Sequence, residues 1–321
     1  MQIEKMKENV HVFNDSHVQL KTMGNIYEVR CMSCHSTKIP ILKLYKDYFL
    51  ELTTGEIREF QHADRRTDNL ASVAQSLKHL REYINTNVTD SHKALFITLT
   101  YAENMQSAET LYNDFRKFNM RLSYYLRKNR LPPYEYIVTI EPQARGSLHA
   151  HLILIFQVKA PFIPHEKLAT LWGHGFVKIK ALKNVDNIGA YLSAYLGDME
   201  LDEVLATSNT KCKGFKIVES IDEHGNRQSK AVIKGARLKL YPKGFRLFRK
   251  SRGIKPPIVK GCTYAEAMQE MGNAVLTYEK TVKIAGDDGT IYNIINYRHY
   301  NKKYSQNKSD TQEKTPIFPC Q

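Results

Sequence analysis

The chain has 321 residues, of which 42% are apolar, so it is long enough for one large domain or two small ones. Lysine and arginine outnumber aspartate and glutamate by 47 to 33, and the formal net charge of +14 favours a polyanionic partner such as nucleic acid. No apolar run approaches the ~18 residues of a membrane span, and neither a signal-peptide pattern nor an ATPase phosphate-binding motif is present, which predicts a cytoplasmic protein.

Residues 1–70 are mixed in composition and predict an accessory region of short strands, with candidates at residues 41–45 and 49–52. Five cysteines, an odd and scattered set, argue against a disulfide framework. Cys31 and Cys34 form a C-x-x-C pair, but a structural zinc site needs four ligands and the sequence has no second close pair. A zinc site is therefore the less favoured interpretation of this pair.

Two helices and a strand are predicted next. Apolar residues at helical spacing predict a helix over residues 68–84, and an apolar, β-rich run predicts a strand over residues 94–101. Residues 108–129 predict a long amphipathic helix, because the apolar side chains form one stripe and most of the cations lie off it.

A β-hairpin is predicted after these elements. Residues 134–141 alternate apolar and polar side chains, residues 148–156 form an apolar run, and Ala144-Arg145-Gly146 between them is a turn signal. Successive side chains of a strand point to opposite faces, so His149 and His151 project from the same face.

The hairpin places a carboxylate beside the two histidines. If the chain folds back about Arg145, Glu141 lies directly across from His149, and Thr139 lies opposite His151. Two imidazoles and one carboxylate form a compact donor set for a divalent cation, with positions left for water or a phosphate oxygen. A lone His-x-His in a strand is more often structural, and the acid at the matching position of the partner strand favours a metal site.

A helix over residues 165–172 and a strand over residues 176–182 lead to a further helix that carries Tyr191 and Tyr195 and ends near Gly197. Because the two tyrosines are four residues apart, their hydroxyls share one face of this helix. Tyrosines at this spacing are more often packing residues, but the combination with the histidine hairpin is more specific than either part.

Residues 199–234 look like an insertion, and a basic segment follows over residues 234–255. Cations interleaved with aromatic residues suit single-stranded nucleic acid, since phosphates are neutralised while bases stack. An ordinary amphipathic surface segment is the competing interpretation. The candidate DNA-binding cations are Arg145 in the hairpin turn and, in the basic segment, Lys239, Arg246, Arg249, Lys250 and Arg252.

The predicted organisation has four parts. They are an accessory region over residues 1–70, a central domain over residues 71–260, a small C-terminal unit over residues 261–300, and a polar, disordered tail over residues 301–321. In the C-terminal unit, a helix over residues 264–278 precedes a hairpin around residues 286–289. Long helices between antiparallel strands predict an α+β central domain, a central antiparallel sheet with helices packed on it.

Three motifs in order resemble those of the HUH endonucleases, specifically the rolling-circle replication initiators of small phages and plasmids. The strand motif is matched by Phe96-Ile-Thr-Leu-Thr-Tyr101, the His-hydrophobic-His motif by His149-Ala150-His151, and the tyrosine helix by Tyr191 and Tyr195. Runs at residues 171–176 and 237–249 are also similar to initiators of Gram-positive mobile elements. The resemblance covers residues 70–257, and the motifs are weak singly but specific in this order.

The resemblance implies a ferredoxin-like HUH nuclease core in which His149, His151 and Glu141 hold Mg²⁺ or Mn²⁺ and the tyrosines act as nucleophiles. It implies cleavage of single-stranded DNA at a replication origin, which leaves a 5′-phosphotyrosine and a free 3′-hydroxyl that can be rejoined without ATP. Because the chain has no ATPase motif, a host helicase is the implied partner for duplex unwinding.

Several points stay open from the sequence. Family members often carry a lysine three residues after a catalytic tyrosine, where this chain has Ala194 and Asp198, so the order in which the tyrosines act is not settled. A transposase or relaxase of the same superfamily would use the same site residues. From other classes, a basic nucleic-acid-binding module would bind without cutting, and a zinc-dependent hydrolase would cut without a covalent adduct.

Overall fold

The computed structural model of the protein describes residues 2–34, 41–52, 54–60, 70–143, 146–182, 189, 199–200, 216–221, 227–233, 240–241, 245–286 and 289–306. The strands are β1 (Gln2–Lys5), β2 (His17–Met23), β3 (Ile26–Met32), β4 (Ile41–Lys43), β5 (Tyr48–Glu51), β6 (Ile57–Glu59), β7 (Ala94–Leu99), β8 (Tyr134–Pro142), β9 (Leu148–Phe156), β10 (Val177–Ala181), β11 (Met199–Glu200), β12 (Lys216–Ile221), β13 (Arg227–Ile233), β14 (Phe248–Lys250), β15 (Ile258–Thr263), β16 (Val275–Ala285) and β17 (Ile291–Asn301). The helices are α1 (Leu70–Asn87), α2 (Ala108–Lys128), α3 (His165–Trp172), α4 (Tyr264–Met271) and α5 (Lys303–Gln306). None of these described helices is both long enough and apolar enough to cross a membrane.

The chain divides into two compact units, and each is built on an antiparallel sheet that carries helices. The first unit takes its described residues from Met1–Asp64 and Pro257–Thr311, and the second takes its described residues from Arg65–Pro256. Six strands form the main sheet of the first unit, and five strands form the main sheet of the second. The mixed α+β class predicted from the sequence is confirmed.

In the first unit, strands from the two ends of the chain share one sheet, whose order is β1-β16-β17-β3-β2-β15. The sequence pattern treats these two segments as separate regions, and the structure joins them because β17 pairs with β3 along seven residues. The helix α4 packs its Ala267 and Met271 against Leu20 and Val29 of this sheet. A separate three-stranded sheet contains β4, β5 and β6.

The C-terminal helix is shorter than predicted. It begins at a capping box, in which the hydroxyl of Thr263 accepts from the backbone of Glu266 and the carboxylate of Glu266 accepts in return. It ends at Met271, because Gly272 adopts a φ of +57° that a helix cannot continue through. The expected extension to residue 278 is therefore wrong, and the residues from Val275 onwards pair with β17 as a strand instead.

In the second unit, the elements follow one another as β7-α2-β8-β9-α3-β10, and the sheet order is β10-β7-β9-β8-β14. Every described pairing in this sheet is antiparallel. The helices α2 and α3 lie together on one face of the sheet, and α1 lies on the other. The elements predicted over residues 70–182 are confirmed in type and order.

The sequence of β9 explains why helices cover both faces. Leu152 and Leu154 pack into the cluster that contains α2, whereas Ile153 and Ile155 pack with α1. A strand that is buried on both sides has to be apolar at every position, which is why this run looks continuous in the sequence. The pattern changes at the start of the strand, where His149 and His151 share the face of Ile153.

The region predicted to be an insertion contains a small sheet of order β11-β13-β12. The turn signals at residues 223–226 lie outside the residues that the structure describes, as do residues 307–321 of the predicted tail.

Candidate active site

The predicted hairpin register is confirmed. Glu141 pairs with His149 and Thr139 pairs with His151 across β8 and β9. On the other side of β9, Thr98 of β7 pairs with His151. Side chains that are directly paired point to the same face of a sheet, so these five polar residues from three strands lie on one face.

His151 is held through both nitrogens of its ring. Its Nε2 contacts the carboxylate of Glu141, and its Nδ1 lies 3.1 Å from the hydroxyl of Thr98. The ring of Phe96 stacks parallel to the imidazole, with centroids 5.6 Å apart and planes inclined by 3°. The orientation of His151 is therefore fixed by partners on both flanking strands.

This arrangement has a consequence for the tautomer of His151. A neutral imidazole that donates its Nδ1 proton to the hydroxyl of Thr98 presents the lone pair of Nε2 on the side of Glu141. A histidine that binds a metal needs this state, in which the remote nitrogen is held by a hydrogen bond and the other is a ligand. Thr98 is thus a supporting residue that the ligand motif alone did not identify, although it belongs to the strand motif beginning at Phe96.

The surroundings of the carboxylate are nearly dry. Glu141 is 8% exposed and Thr139 is 7% exposed. A carboxylate at such a depth is costly to keep charged unless a partner stabilises it, and the contact with His151 supplies that partner. Electrostatic interactions are stronger here than in water, for this pair and for any ligand that binds beside it.

The donor set fits a divalent cation in its chemistry and its register. His149, His151 and Glu141 offer two nitrogens and a carboxylate on one face. Glu141 contacts His151 directly, and within the described residues no three His, Cys, Asp or Glu side chains are grouped as a ligand set. Binding of a cation by all three residues would therefore require side-chain rotation that separates His151 from Glu141.

The polar residues occupy the part of the sheet face next to α1. Along this face, Ile137 and Ile153 pack beneath α1, and the next pair on the same two strands is Thr139 with His151. The opposite face is apolar at these positions, since Ala150 and Leu148 pack into the α2 cluster. One face of the hairpin therefore builds the core while the other carries chemistry.

Tyr191 and Tyr195 lie outside the residues that the structure describes, but Gly189 just before them is described. Gly189 is buried and helical, and its N–H donates to the side-chain oxygen of Asn85 in α1 at 3.0 Å. A Cβ at this position would lie 2.6 Å from the backbone oxygen of Arg81. The chain thus contacts α1 two residues before Tyr191, and α1 is the helix on the face of the histidines.

The predicted DNA-binding cations are found in different settings. Arg145 and Lys239 lie outside the described residues, while Arg246 and Arg252 are exposed. The guanidinium of Arg249 lies 3.2 Å from the ring centre of Tyr112 on the α2 side. On the other face, the ammonium of Lys250 lies 4.7 Å from the ring centre of Tyr83 and donates to the carbonyl of Ile254. DNA binding by these cations stays a prediction.

The aromatic residues of the basic segment differ from the expectation that they stack on bases. Tyr241 and Phe245 are 4% and 7% exposed and belong to the main core of this unit. The hydroxyl of Tyr241 donates to the carbonyl of Ile140 in β8. For these two side chains the stacking expectation is wrong, because they bury their rings beside α2.

The run at residues 171–176 forms a second polar cluster, at the end of β7. The hydroxyl of Tyr101 donates to the buried carboxylate of Asp114 at 2.9 Å, and His174 lies 3.6 Å from the same carboxylate. Burial and this hydrogen bond raise the pKa of Tyr101. A Cβ on Gly175 would overlap the backbone of Thr100, so this cluster fixes how the run after α3 returns to the sheet.

Residues 94–200 match the family model of the replication-associated protein ORF2. The match covers about a third of the chain and includes β7, the histidine hairpin and the positions of both tyrosines. The chain matches no curated protein and no solved structure. The segment that carries the candidate site is therefore similar to replication-associated proteins, which supports a Rep-type protein.

Proposed function

We propose that this chain is a rolling-circle replication initiator of the HUH endonuclease superfamily. In this proposal it nicks single-stranded DNA at an origin through a tyrosine nucleophile and later rejoins the ends. The observation that carries the proposal is the contact of Glu141, His151 and Thr98 on the polar part of one sheet face, inside the segment similar to replication-associated proteins.

The topology of the second unit supports the superfamily. A chain order of β7-α2-β8-β9-α3-β10 with β7 and β9 in the centre of the sheet is the arrangement of a ferredoxin-like core. The helices α2 and α3 share one face, which leaves the other face for α1 and the histidines.

The residues of the chain have distinct tasks in the proposed reaction. His149, His151 and Glu141 would hold Mg²⁺ or Mn²⁺, and Thr98 would keep the His151 ring in the correct tautomer. When bound, such an ion stabilises the negative charge that develops on the scissile phosphate. The low exposure of Glu141 keeps water away from these groups.

The bond changes are a transesterification. The phenolic oxygen of Tyr191 or Tyr195 attacks phosphorus in line, and the bond between phosphorus and the 3′ oxygen breaks. The phenol loses one proton and the departing 3′ oxygen gains one, so the products are a 5′-phosphotyrosine and a 3′-hydroxyl. A phenol has an ordinary pKa of ~10, so the reaction needs a proton acceptor near the tyrosine. Two tyrosines would let one molecule cut at initiation and again at termination.

Partners and location follow from the same proposal. The protein would act on origin DNA in the cytoplasm, with duplex unwinding supplied by a host helicase. The similarity to replication-associated proteins favours an initiator over a transposase or relaxase, which would use the same site residues.

The test is the detection of a covalent adduct. The purified chain is incubated with a randomised library of circular single-stranded DNA, with Mn²⁺ or with a chelator, and tyrosine-containing peptides are analysed by mass after nuclease digestion. We expect a metal-dependent nucleotide adduct on Tyr191 or Tyr195, and its loss in the Tyr191→Phe/Tyr195→Phe double variant.

The matched control is Tyr124→Phe, which removes the hydroxyl of an exposed tyrosine of α2 and should leave the adduct unchanged. Cleavage without any adduct would replace the proposal with metal-dependent hydrolysis. DNA binding without cleavage across the whole library would replace it with a binding protein.

A further inference from the structure

The edge strand β10 has two different sides. Val177 and Ile179 point into the apolar cluster that contains α2. Side chains alternate along a strand, so Lys178 and Lys180 point to the opposite face. Phe176 precedes the strand and its carbonyl accepts from the N–H of Thr100, which continues the same pairing with β7 by one more residue. Phe176 therefore shares the face of the two lysines.

This face is the one that carries the histidines. Lys178 pairs with Thr98, and Thr98 pairs with His151. The three residues form one row across β10, β7 and β9. Neighbouring strands lie about 4.8 Å apart, so the backbone of Lys178 is roughly 10 Å from that of His151.

The side chains of this strip are open to solvent. Phe176 is 74% exposed, and Lys178 and Lys180 are exposed as well. The strands β10 and β7 contain no acidic residue. A single exposed phenylalanine needs no explanation, but here it stands in line with two cations beside a candidate phosphodiester site.

We propose that Phe176, Lys178 and Lys180 form the track that binds the single-stranded DNA next to the scissile phosphate. The lysines neutralise backbone phosphates, and the ring of Phe176 stacks on a base, which is the usual combination for sequence-tolerant binding of a single strand. This inference rests on the proposed function, because it names how the same site takes its substrate.

The experiment measures binding of a fluorescent 20-nucleotide single strand by anisotropy, with a chelator present so that no cutting occurs. The Lys178→Ala/Lys180→Ala variant should bind more weakly, and the slope of log K against log salt should fall by about 1.4, since each phosphate contact contributes about 0.7 on a single strand. Phe176→Ala should weaken binding roughly 5- to 150-fold, the loss expected for one stacked base.

Each variant has a matched control elsewhere on the second unit. The Lys128→Ala/Lys159→Ala variant removes the same charge from exposed positions, and Phe162→Ala removes another exposed ring, 87% exposed, from the loop before α3. These controls should keep the wild-type affinity and salt slope. Equal losses in test and control variants would overturn the track and leave only a general effect of charge.

The outcome separates this inference from the proposed function. Lysines on an edge strand also prevent sheets from pairing edge to edge, and in that role their removal would leave DNA binding unchanged. If the wild-type chain forms the tyrosine adduct while the strip variants bind normally, the track is wrong and the proposed function stands. If the strip variants lose binding while no adduct forms, the track stands and the nicking function is wrong.

Discussion

Glu141 contacts the Nε2 of His151, which lies diagonally across β8 and β9, while the residue directly opposite Glu141 is His149. The carboxylate therefore reaches along the hairpin from one register pair to the next. Diagonal neighbours on a sheet lie within reach of a long side chain. This contact brings the acid and one histidine together before any ligand is bound.

The contact predicts how the metal affinity depends on each residue. We expect His151→Ala and Glu141→Gln each to weaken Mn²⁺ binding by at least the ~10–100-fold that loss of a supporting residue costs. Isothermal titration calorimetry of the folded chain with Mn²⁺ measures this directly, without DNA. Glu103→Gln, an exposed carboxamide substitution in the loop after β7, is the control and should bind as the wild type does. Unchanged Mn²⁺ affinity in both site variants would exclude these ligands.

Thr98 is expected to act through His151 and not on the substrate. Thr98→Val keeps the shape of the side chain and removes the hydroxyl that lies 3.1 Å from Nδ1. We expect Mn²⁺ affinity to fall ~10–100-fold while the fold is retained, because the ring loses the partner that sets its tautomer. Thr170→Val on α3 is the control. A Thr98→Val variant with wild-type affinity would show that the hydroxyl only packs beside the ring.

Gly189 is expected to position the tyrosines. In Gly189→Ala the new methyl group would lie 2.6 Å from the backbone oxygen of Arg81, so the segment has to move away from α1. We expect adduct formation to fall strongly while Mn²⁺ and single-strand DNA affinities are unchanged, because those sites lie on other elements. The measurement is the rate of adduct formation at saturating DNA.

The control for this substitution is Gly253→Ala. Its new methyl group would meet the carboxylate of Glu135, the mobile end of a side chain, in place of a fixed backbone oxygen. It should therefore cut DNA nearly as well as the wild type does. A second test is Asn85→Ala, which removes the acceptor of the Gly189 N–H and should reproduce the loss. Normal adduct formation in both Gly189→Ala and Asn85→Ala would contradict the positioning role.

Tyr101 is expected to stabilise the second unit through Asp114. Tyr101→Phe keeps the ring that packs on Trp172 and leaves the buried carboxylate with one partner fewer. We expect the free energy of unfolding to fall by about 1–3 kcal/mol, the usual cost of an unpaired buried polar group. Urea denaturation at neutral pH measures the difference, and Tyr124→Phe at the surface should show none.

The pH dependence of that difference is a separate test. The pKa of Tyr101 is higher in the folded protein than in the unfolded chain, so its contribution is fully present below the ordinary tyrosine pKa of ~10. It is lost as the pH rises through the raised value. The gap between wild type and Tyr101→Phe should therefore be constant from neutral pH to about pH 9 and should narrow above pH 10.

The sequence determined the hairpin almost completely. A strand has a period of two residues, and the turn signal around Arg145 sets the length of the connection, so the pairing of Glu141 with His149 follows from counting alone. The long helices were equally clear, because an apolar stripe with a polar surround has few other solutions. Both features depend on interactions within a short stretch of chain.

The tertiary structure decided the features that depend on distant partners. Thr98 reaches His151 across 53 positions of the chain, and the hydroxyl carries no local sign of that contact. Tyr241 and Phe245 look like stacking residues in a basic segment, but they are buried because the hydrophobic core accepts their rings. The first unit joins β3 and β17 from opposite ends of the chain. Local patterns fix which face a side chain occupies, and only the folded chain fixes what lies opposite that face.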